Sequence, residues 1–507
     1  MTFRHSIIQL GLAAATLATP VKHTFARRNE TQSGAIQWGK CDFESTSAEC
    51  ANFDVPLDYV NQASTEKLTL QLAKVAAASQ PSKGSILFNF GGPGYTARES
   101  LDSLAEYLLI QTGGQYDLVA FDPRGTGNTI PFECFDSPEA RLLALAQNPF
   151  PPADAYDSAI KQTWASSLAL TEVCRLANLN ATGVYGTSYV ARDLMQVVDA
   201  LGEDGMLRFW GFSYGSLLGE VVAAMFPERM DRIVLDGVVN GHNYFHRQGI
   251  DVDQLLAADD GFRTVLEQCI QAGDKCALST LNSTAIDLEA TLRVMAEEIR
   301  DNPITIGTEI LDYSKVKNML LLLIKYTSGL PTAFQQLSNL LHREKLSEVM
   351  DFYNAQYGSV AQTNEALYAV QCGDKIAEAV DFEDIEPDLE YFLQTSRLFA
   401  ASTSSIVTQC ARWPIKANEQ YGGDFNVKTA NPVLFIGNTY DPVTPATSAY
   451  NMSATYEGSR VVEQVGFGHA SLSQVSACTG SIIAAYFTNG TLPAESVKCA
   501  VDVGLFD

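Results

Sequence analysis

Apolar and polar positions divide the chain into two kinds of region. From residue 51 to 240, and again after 413, short runs that are apolar throughout alternate with amphipathic stretches. The runs predict strands at 51–57, 67–75, 85–90, 116–121, 207–212, 232–235, 432–436 and 460–465. Apolar side chains spaced by three and four residues predict helices over 190–201 and 217–226. This alternation indicates an α/β fold with a mostly parallel sheet that helices cover on both faces.

Residues 241–413 follow a different pattern. Their segments are helical in period and rich in Leu, Glu and Gln, with almost no strand signal. We interpret this region as a helical cap that is inserted into the core and lies over the edge of the sheet. The expected organisation is a leader over 1–28, a core formed by 29–240 and 414–507, and the cap over 241–413.

The N-terminal residues are typical of a secretory leader. Arg4 and His5 precede an apolar run over 7–17, which has the length of a signal-peptide core and is too short to span a bilayer. The dibasic pair of Arg27 and Arg28 is a candidate site for removal of a short propeptide. No later apolar run is long enough for a membrane helix. We therefore expect export, with a mature protein that begins near Asn29.

Asparagines and cysteines agree with export. Glycan-accepting sequons occur at Asn29, Asn180, Asn282, Asn451 and Asn489. The ten cysteines form five pairs of sequence neighbours: Cys41 with Cys50, Cys134 with Cys174, Cys269 with Cys276, Cys372 with Cys410, and Cys478 with Cys499. In an oxidising compartment we expect five disulfides with nearest-neighbour pairing, although a sequence alone does not fix the connectivity. Reduced, buried thiols are the alternative, and the spacing does not match a zinc site.

The charge of the chain limits its partners. Its 507 residues include 59 acidic and 34 basic side chains, which gives a formal net charge of -25 at pH 7. Nucleic acid and anionic membrane surfaces repel such a chain, so neither is expected as a partner. The balance suits a soluble protein in a mildly acidic extracellular medium.

Residues 211–215 read Gly-Phe-Ser-Tyr-Gly, where the strand predicted at 207–212 leads into the helix predicted at 217–226. The G-x-S-x-G pattern alone is a weak signal, but this strand-to-helix placement resembles the nucleophile elbow of α/β-hydrolases. Its glycines let the backbone turn sharply, because a side chain there would collide with the neighbouring strand or helix. Ser213 is the candidate nucleophile at the carboxyl end of the sheet.

A serine hydroxyl needs a base, and the chain has six histidines. In α/β-hydrolases the triad runs in the order serine, acid, histidine, and His469, after the last predicted sheet strand, fits this order. Asp441 follows the strand predicted at 432–436 and precedes His469, so we expect it to orient the imidazole. Asp236 also ends a predicted strand and is the rival acid.

The glycine loop over 91–94 is expected to help bind the oxyanion that forms when a carbonyl is attacked. One donor is the backbone N–H of Tyr214, which follows the nucleophile. The second donor is the N–H of Gly92 or Gly91, since Pro93 has none.

A further loop begins at Asp122, directly after the strand predicted at 116–121. Because Asp122 precedes the serine in the chain, it does not fit the triad order. We expect it to form a structural, ion-paired turn with Arg124.

Taken together, these motifs resemble the tripeptidyl aminopeptidase and proline iminopeptidase branch of the α/β-hydrolases. They are Asn-Phe-Gly-Gly-Pro-Gly at 89–94, Asp-Pro-Arg-Gly-Thr-Gly at 122–127, Gly-Phe-Ser-Tyr-Gly-Ser at 211–216, Phe-Pro-Glu-Arg at 226–229, Val-Leu-Asp-Gly-Val at 234–238, Cys-Ala-Arg-Trp-Pro at 410–414, Asp-Pro-Val-Thr-Pro at 441–445 and Gly-Phe-Gly-His at 466–469. The resemblance covers nearly the whole mature chain. It implies a capped exopeptidase that releases short peptides or proline from free N-termini. It implies no metal and no organic cofactor.

One position departs from the family pattern. Iminopeptidases usually carry His before Gly-Gly-Pro-Gly, whereas this chain has Phe90. The tripeptidyl type tolerates other residues there, so the resemblance favours tripeptide release. Recognition of a substrate amine needs carboxylates in the cap, and Glu365 and Asp374, on either side of Cys372, are the candidates. The alternative is that both are solvated surface acids.

Two other functions stay open at this stage. A carboxylesterase or lactonase would use the same triad on small esters. A catalytically inactive binding module on this fold is disfavoured by the complete triad and glycine loop. The expected ligand is a peptide or a small ester.

Overall fold

A ten-stranded sheet forms the centre of the protein. The computed structural model describes residues 36–45, 47–61, 63–179, 183–281, 283–357, 364–422 and 424–507. Its strands are β1 (Gly39–Lys40), β2 (Ala48–Pro56), β3 (Lys67–Val75), β4 (Ser85–Asn89), β5 (Asp117–Phe121), β6 (Leu207–Phe212), β7 (Met230–Asp236), β8 (Ile304–Ile306), β9 (Glu309–Leu311), β10 (Leu434–Tyr440), β11 (Arg460–Phe467) and β12 (Val497–Ala500).

The helices lie between these strands and cover them. They are α1 (Arg98–Gln111), α2 (Pro138–Gln147), α3 (Ala159–Ala177), α4 (Thr187–Leu201), α5 (Tyr214–Met225), α6 (Gly241–His246), α7 (Ala258–Ala272), α8 (Ala285–Asp301), α9 (Tyr313–Lys325), α10 (Leu330–His342), α11 (Leu346–Tyr357), α12 (Asn364–Asp374), α13 (Phe382–Thr395), α14 (Ala400–Thr403), α15 (Ser405–Thr408), α16 (Ala446–Ser453) and α17 (Ala477–Asn489).

The strand order across the sheet is β1-β2-β3-β5-β4-β6-β7-β10-β11-β12. The pairs from β1 to β5 are antiparallel, and every pair from β5 to β12 is parallel. The parallel strands therefore share one carboxyl edge, where open α/β sheets place their ligands. The predicted fold class is confirmed.

Successive side chains of the central strands point to opposite faces of the sheet, and both faces are covered. Leu87 and Phe209 belong to a core shared with α4 and α5. Phe88 and Trp210, one residue further along, belong to a second core shared with α1 and α17. Burial on both faces explains why these strands are apolar throughout rather than alternating.

The segment between β7 and β10 is mainly helical, as predicted, but contains the small antiparallel hairpin of β8 and β9. Helices α7 to α11 and α13 to α15 contribute to a separate hydrophobic core that includes Phe262, Leu292 and Phe334. Helix α12 does not join that core. Its Val370 packs with the sheet core, and its Cys372 joins a small cluster around two disulfides.

Helices α2 and α3 lie outside the predicted cap over 241–413 and were not predicted from the sequence. Helix α3 packs against α15, where the hydroxyls of Ser167 and Thr408 are 2.7 Å apart. Thr171 on α3 also donates to the carbonyl of Ala411 at 3.1 Å. The helical layer above the sheet is therefore built from two separate parts of the chain.

Five disulfides are present, and each joins two cysteines that are neighbours in the sequence, as expected above. They link Cys41 with Cys50, Cys134 with Cys174, Cys269 with Cys276, Cys372 with Cys410, and Cys478 with Cys499. The alternative of reduced, buried thiols does not apply, since no cysteine among the described residues is free.

Two of the five predicted sequons lie among the described residues. Asn451 and Asn489 are exposed. Asn29, Asn180, Asn282 and the leader lie outside the described residues. Within the described part of the chain, no helix combines the length and apolar character needed to cross a membrane.

The expected ion pair between Asp122 and Arg124 does not form. Arg124 is fully buried and makes a bidentate pair with Asp193 on α4, with both N–O distances at 2.7 Å. Asp122 instead accepts from Arg98 Nε at 2.9 Å and from the amide of Ala97 at 2.7 Å. The two side chains of this turn thus tie it to α4 and to α1, which the sequence did not indicate.

Glu220 on α5 is fully buried, and neither of its carboxyl oxygens has a hydrogen-bond partner among the described residues. Burial raises the pKa of this carboxyl well above its usual value, and the negative charge of Asp251 raises it further. A buried carboxyl without partners is therefore neutral over a wider pH range than an exposed one.

Glu220→Gln tests this assignment. Because the folded-state pKa lies above the unfolded value, the stability contributed by Glu220 is complete below the unfolded pKa and is lost as pH rises through the folded pKa. We expect Glu220→Gln to raise Tm at about pH 8 and to change it little at about pH 4. Thermal unfolding followed by circular dichroism measures both values. Glu228→Gln, on the exposed surface just after α5, is the control; a gain in Tm that is independent of pH would contradict the assignment.

Candidate active site

Ser213 lies at the turn between β6 and α5, at the carboxyl edge of the sheet. Its backbone has φ 56° and ψ -125°, a conformation that costs a non-glycine residue free energy and persists only when the surroundings impose it. Its amide donates to the carbonyl of Asp236 at 2.9 Å, and its carbonyl accepts from the amide of Ser216 at 2.8 Å. The side chain is partly exposed.

The two glycines of the motif are required by close packing. A Cβ on Gly211 would lie 2.1 Å from the carbonyl oxygen of Gly215. A Cβ on Gly215 would lie 2.3 Å from the carbonyl oxygen of Asn89 in β4. Neither position has room for a side chain, so the start of α5 approaches β4 and β6 more closely than any other residue would allow.

His469 follows β11 and is paired with Asp441, which follows β10. Its Nδ1 lies 3.1 Å from Asp441 Oδ1 and 3.0 Å from Oδ2. The carboxylate is fully buried, whereas 19% of the imidazole is exposed. The pairing fixes the proton on Nδ1 and leaves Nε2, on the other edge of the ring, to accept one.

Asp441 is held by four further donors, none of which titrates in the physiological range. Oδ1 accepts from the amides of Val443 at 2.8 Å and Thr444 at 2.9 Å. Oδ2 accepts from the Thr444 hydroxyl at 2.8 Å and the Ala470 amide at 2.9 Å. Burial alone would raise the pKa of Asp441, but the charge of His469 and these hydrogen bonds outweigh it and lower the pKa. Asp441 is therefore charged at neutral pH.

Asp236, the rival acid, does not contact the imidazole. Its carboxylate accepts from the amide of Ser471 at 2.9 Å and from the Ser471 hydroxyl. Burial raises its pKa to about 6. Since its backbone carbonyl also accepts from Ser213, Asp236 joins the serine turn to the histidine loop.

The glycine loop contacts the serine turn directly. A Cβ on Gly91 would lie 2.8 Å from Ser213 Cβ. The Gly91 amide donates to the side-chain oxygen of Asn89 at 3.0 Å. Because that N–H is already engaged, the geometry favours Gly92 as the second oxyanion donor. The amide of Tyr214 opens α5, where the first N–H groups have no acceptor within the helix.

Asp374 was expected to receive a substrate amine, but its oxygens are used by the protein. It is fully buried, and Oδ1 accepts from the Thr187 amide at 2.9 Å. Oδ2 accepts from the Thr187 hydroxyl at 2.6 Å and the Tyr244 hydroxyl at 2.9 Å. Burial raises its pKa to about 6, against these hydrogen bonds and the charge of Lys375. The structure gives Asp374 an internal role instead.

Glu365 is likewise engaged, and it is not a solvated surface acid. It is ion-paired with Arg141 on α2, and it accepts from the Cys134 amide at 2.6 Å. Only 5% of the residue is exposed. Both partners are distant from Glu365 in the sequence, so the sequence alone does not distinguish this internally paired carboxylate from one that binds substrate.

Sequence reasoning missed two residues that hold the histidine loop. The side-chain amide of Asn438 donates to the carbonyls of Ala470 at 2.7 Å and Gly468 at 3.1 Å. Thr444 contacts both Asp441 and His469 Nδ1, the latter at 3.1 Å. A polar Asn inside an apolar strand, and a Thr three residues after an Asp, were the available signals.

The fold and the site define a member of the α/β-hydrolase superfamily. Residues 84–274 match the family model described as alpha/beta hydrolase fold. Residues 396–499 match the model described as TAP-like protein. The chain thus matches the hydrolase fold in its first part and a TAP-like region in its C-terminal part.

Similar proteins extend the match over most of the chain. A tripeptidyl aminopeptidase of Streptomyces lividans is 25% identical, covering 92% of this chain and 86% of that protein. The serine protease Hip1 of Mycobacterium tuberculosis is 24% identical, covering 94% of this chain and 93% of that protein. Carboxylesterase B of M. tuberculosis is 26% identical, covering 90% and 87%. The resemblance to the tripeptidyl aminopeptidase branch is confirmed.

Two substitutions distinguish the two acids. We expect Asp441→Asn to lower turnover by about 10⁴, because the wrong imidazole tautomer then faces the serine. Asp236→Asn leaves the His469 contacts in place, so its main effect should be on Tm. Turnover of a chromogenic substrate and thermal unfolding measure the two effects. A larger loss of turnover in Asp236→Asn would show that Asp236 is the acid.

Proposed function

We propose that the protein is a secreted serine exopeptidase that releases tripeptides from free N-termini through an acyl-enzyme. The observation that carries the proposal is the strained Ser213 at the carboxyl edge of the sheet, together with a histidine whose Nδ1 is paired with buried, charged Asp441. The similarity to a tripeptidyl aminopeptidase over 92% of the chain supports the choice of peptide substrates.

In the first step, Ser213 Oγ attacks the carbonyl carbon of the scissile bond and its proton passes to His469 Nε2. The carbonyl electrons move to the oxygen, which the amides of Tyr214 and Gly92 stabilise. The intermediate then expels the amine, which takes the proton from Nε2. This leaves the N-terminal part of the substrate as an ester on Ser213.

In the second step, water attacks this ester and gives a proton to His469 Nε2. The second tetrahedral intermediate collapses, Ser213 Oγ recovers the proton, and the peptide acid leaves. Asp441 stabilises the imidazolium in both steps and stays ionised throughout. No further reactant is needed.

Five disulfides and the exposed sequons at Asn451 and Asn489 support the proposal of export. Disulfides persist in oxidising compartments and are rare in the cytosol. N-linked glycans need an accessible asparagine, and both of these side chains are accessible.

A carboxylesterase is the second candidate function. Asp374 and Glu365, the cap carboxylates expected to bind a substrate amine, both have protein partners. The similarity to Carboxylesterase B also favours ester substrates. The same triad would cleave esters without change.

The nucleophile is tested by Ser213→Ala. We expect a loss of turnover on the order of 10⁶ if the triad acts as a unit, with little change in Tm. A fluorophosphonate should label the wild type at Ser213, as peptide mapping by mass spectrometry can show. Labelling of equal extent in Ser213→Ala would exclude this residue as the nucleophile.

The substrate class is tested with free and acetylated Ala-Ala-Pro anilides, with butyrate esters as the competing class. An exopeptidase must recognise the terminal ammonium group, so we expect the acetylated form to lose about a hundredfold in kcat/KM. An esterase has no such requirement. Equal cleavage of the two anilides, with faster turnover of the butyrates, would favour the carboxylesterase.

A further inference from the structure

Asp374 is the last residue of α12, and it lies against the start of α4. The N-cap position of α4 is Gly186, which has no side chain to accept from the first amides of the helix. The Thr187 amide donates to Asp374 Oδ1 instead. A Cβ on Gly186 would lie 3.0 Å from that oxygen, so the contact is close. Asp374 thus supplies the missing cap, at the positive end of the helix dipole.

The same carboxylate is connected to the residue that follows the nucleophile. The Thr187 hydroxyl donates to Asp374 Oδ2, and it lies 2.7 Å from the hydroxyl of Tyr214. Because the single proton of the Thr187 hydroxyl is donated to Asp374, the hydrogen bond between Thr187 and Tyr214 is donated by the Tyr214 hydroxyl and accepted by Thr187. We call Asp374, Thr187, Tyr214 and Tyr244 the Asp374 network; the Tyr244 hydroxyl also donates to Asp374.

Neighbouring contacts fix the position of the carboxylate. Lys375 is buried, and its Nζ donates to the carbonyls of Tyr244, Arg247 and Gly249, at and beyond the end of α6. Cys372 is joined to Cys410. The end of α12 is therefore held by hydrogen bonds to α4 and α6 and by a disulfide to Cys410, in the segment that leads back into the core.

Tyr214 matters because of where its backbone lies. It is the residue after Ser213, and its amide is the first oxyanion donor of the proposed mechanism. The phenol is buried, so its hydrogen bond fixes the side chain from the far end. A strained residue such as Ser213 keeps its conformation only when its neighbours are held on several sides.

We propose that Asp374 is a positioning residue for the oxyanion hole: through Thr187 it holds the phenol of Tyr214 and thereby the amide of Tyr214. The inference rests on the proposed serine hydrolase function. It assigns to α12, within the predicted cap, a part in transition-state stabilisation rather than in substrate binding.

Asp374→Asn tests the inference. The new amide group would direct N–H donors at the hydroxyls of Thr187 and Tyr244, which are themselves donors in the network. We expect kcat to fall roughly tenfold to a hundredfold, below the loss for a deleted donor, with KM within about twofold. Affinity for a tripeptidyl aldehyde, which forms a tetrahedral adduct on the serine, should fall in parallel with kcat.

Thr187→Val and Tyr214→Phe test the connection if Asp374→Asn folds poorly. Each removes one hydroxyl of the path and keeps the shape of the side chain. We expect each to lower kcat without changing KM. The double variant that combines Asp374→Asn with Tyr214→Phe should lose no more than the worse single variant, within about twofold, because both act on one path.

Glu365→Gln is the matched control. Glu365 is a buried carboxylate on the same helix, but its partners are Arg141 and the Cys134 amide. We expect a lower Tm and an unchanged kcat. Equal losses of kcat in Glu365→Gln and Asp374→Asn, or losses confined to KM, would overturn the positioning role.

The rate of fluorophosphonate labelling separates this inference from the proposed function, since it needs no knowledge of the substrate. Labelling of the wild type that is unaffected in Asp374→Asn, Thr187→Val and Tyr214→Phe would overturn the inference alone. A wild type that is not labelled at Ser213 would overturn the proposed function, and the inference with it. Slower labelling in all three variants, with normal labelling in Glu365→Gln, is the expected result.

Discussion

The close approach of α5 to β4 and β6 is the constraint on which the rest of the site depends. A Cβ on Gly211 would collide with Gly215 and one on Gly215 with Asn89, and this close packing holds Ser213 in its strained conformation. Asp236 then transmits that position to the histidine loop through its carbonyl and carboxylate. The positions of Ser213 and of the histidine loop are thus both set by the tightly packed turn between β6 and α5.

Three buried aspartates around the site differ in pKa because they differ in partners. Asp441 has an imidazole and four other donors, so its pKa is lowered despite full burial. Asp236 and Asp374 accept only from neutral groups, and burial raises the pKa of each to about 6. Burial alone disfavours the carboxylate. The acid of the triad is therefore recognised by its surroundings as much as by its place in the chain.

Local patterns predicted eight of the ten sheet strands and two of the helices that cover them, because burial on two faces and helical periodicity can be read from the sequence. The short strands β1 and β12, at the two ends of the sheet, were not predicted. The order of serine, acid and histidine indicated a pairing that the structure contains. The partners of Asp122, Glu365 and Asp374 were not predictable. Each depends on residues that only the tertiary fold brings near, such as Arg98, which no spacing rule connects to Asp122. For the same reason, α2 and α3 were missed as part of the helical layer.

The separate packing of α12 divides the cap into an exchangeable part and a fixed part. Helices α7 to α11 and α13 to α15 share one core, whereas α12 is hydrogen-bonded to α4 and α6 and packs with the sheet core. Relatives could diverge in the first part, and acquire new specificities there, while the catalytic turn stays undisturbed. A chimera built from two such proteins would therefore keep α12 with its own sheet core and exchange α7 to α11 together with α13, which share the other core.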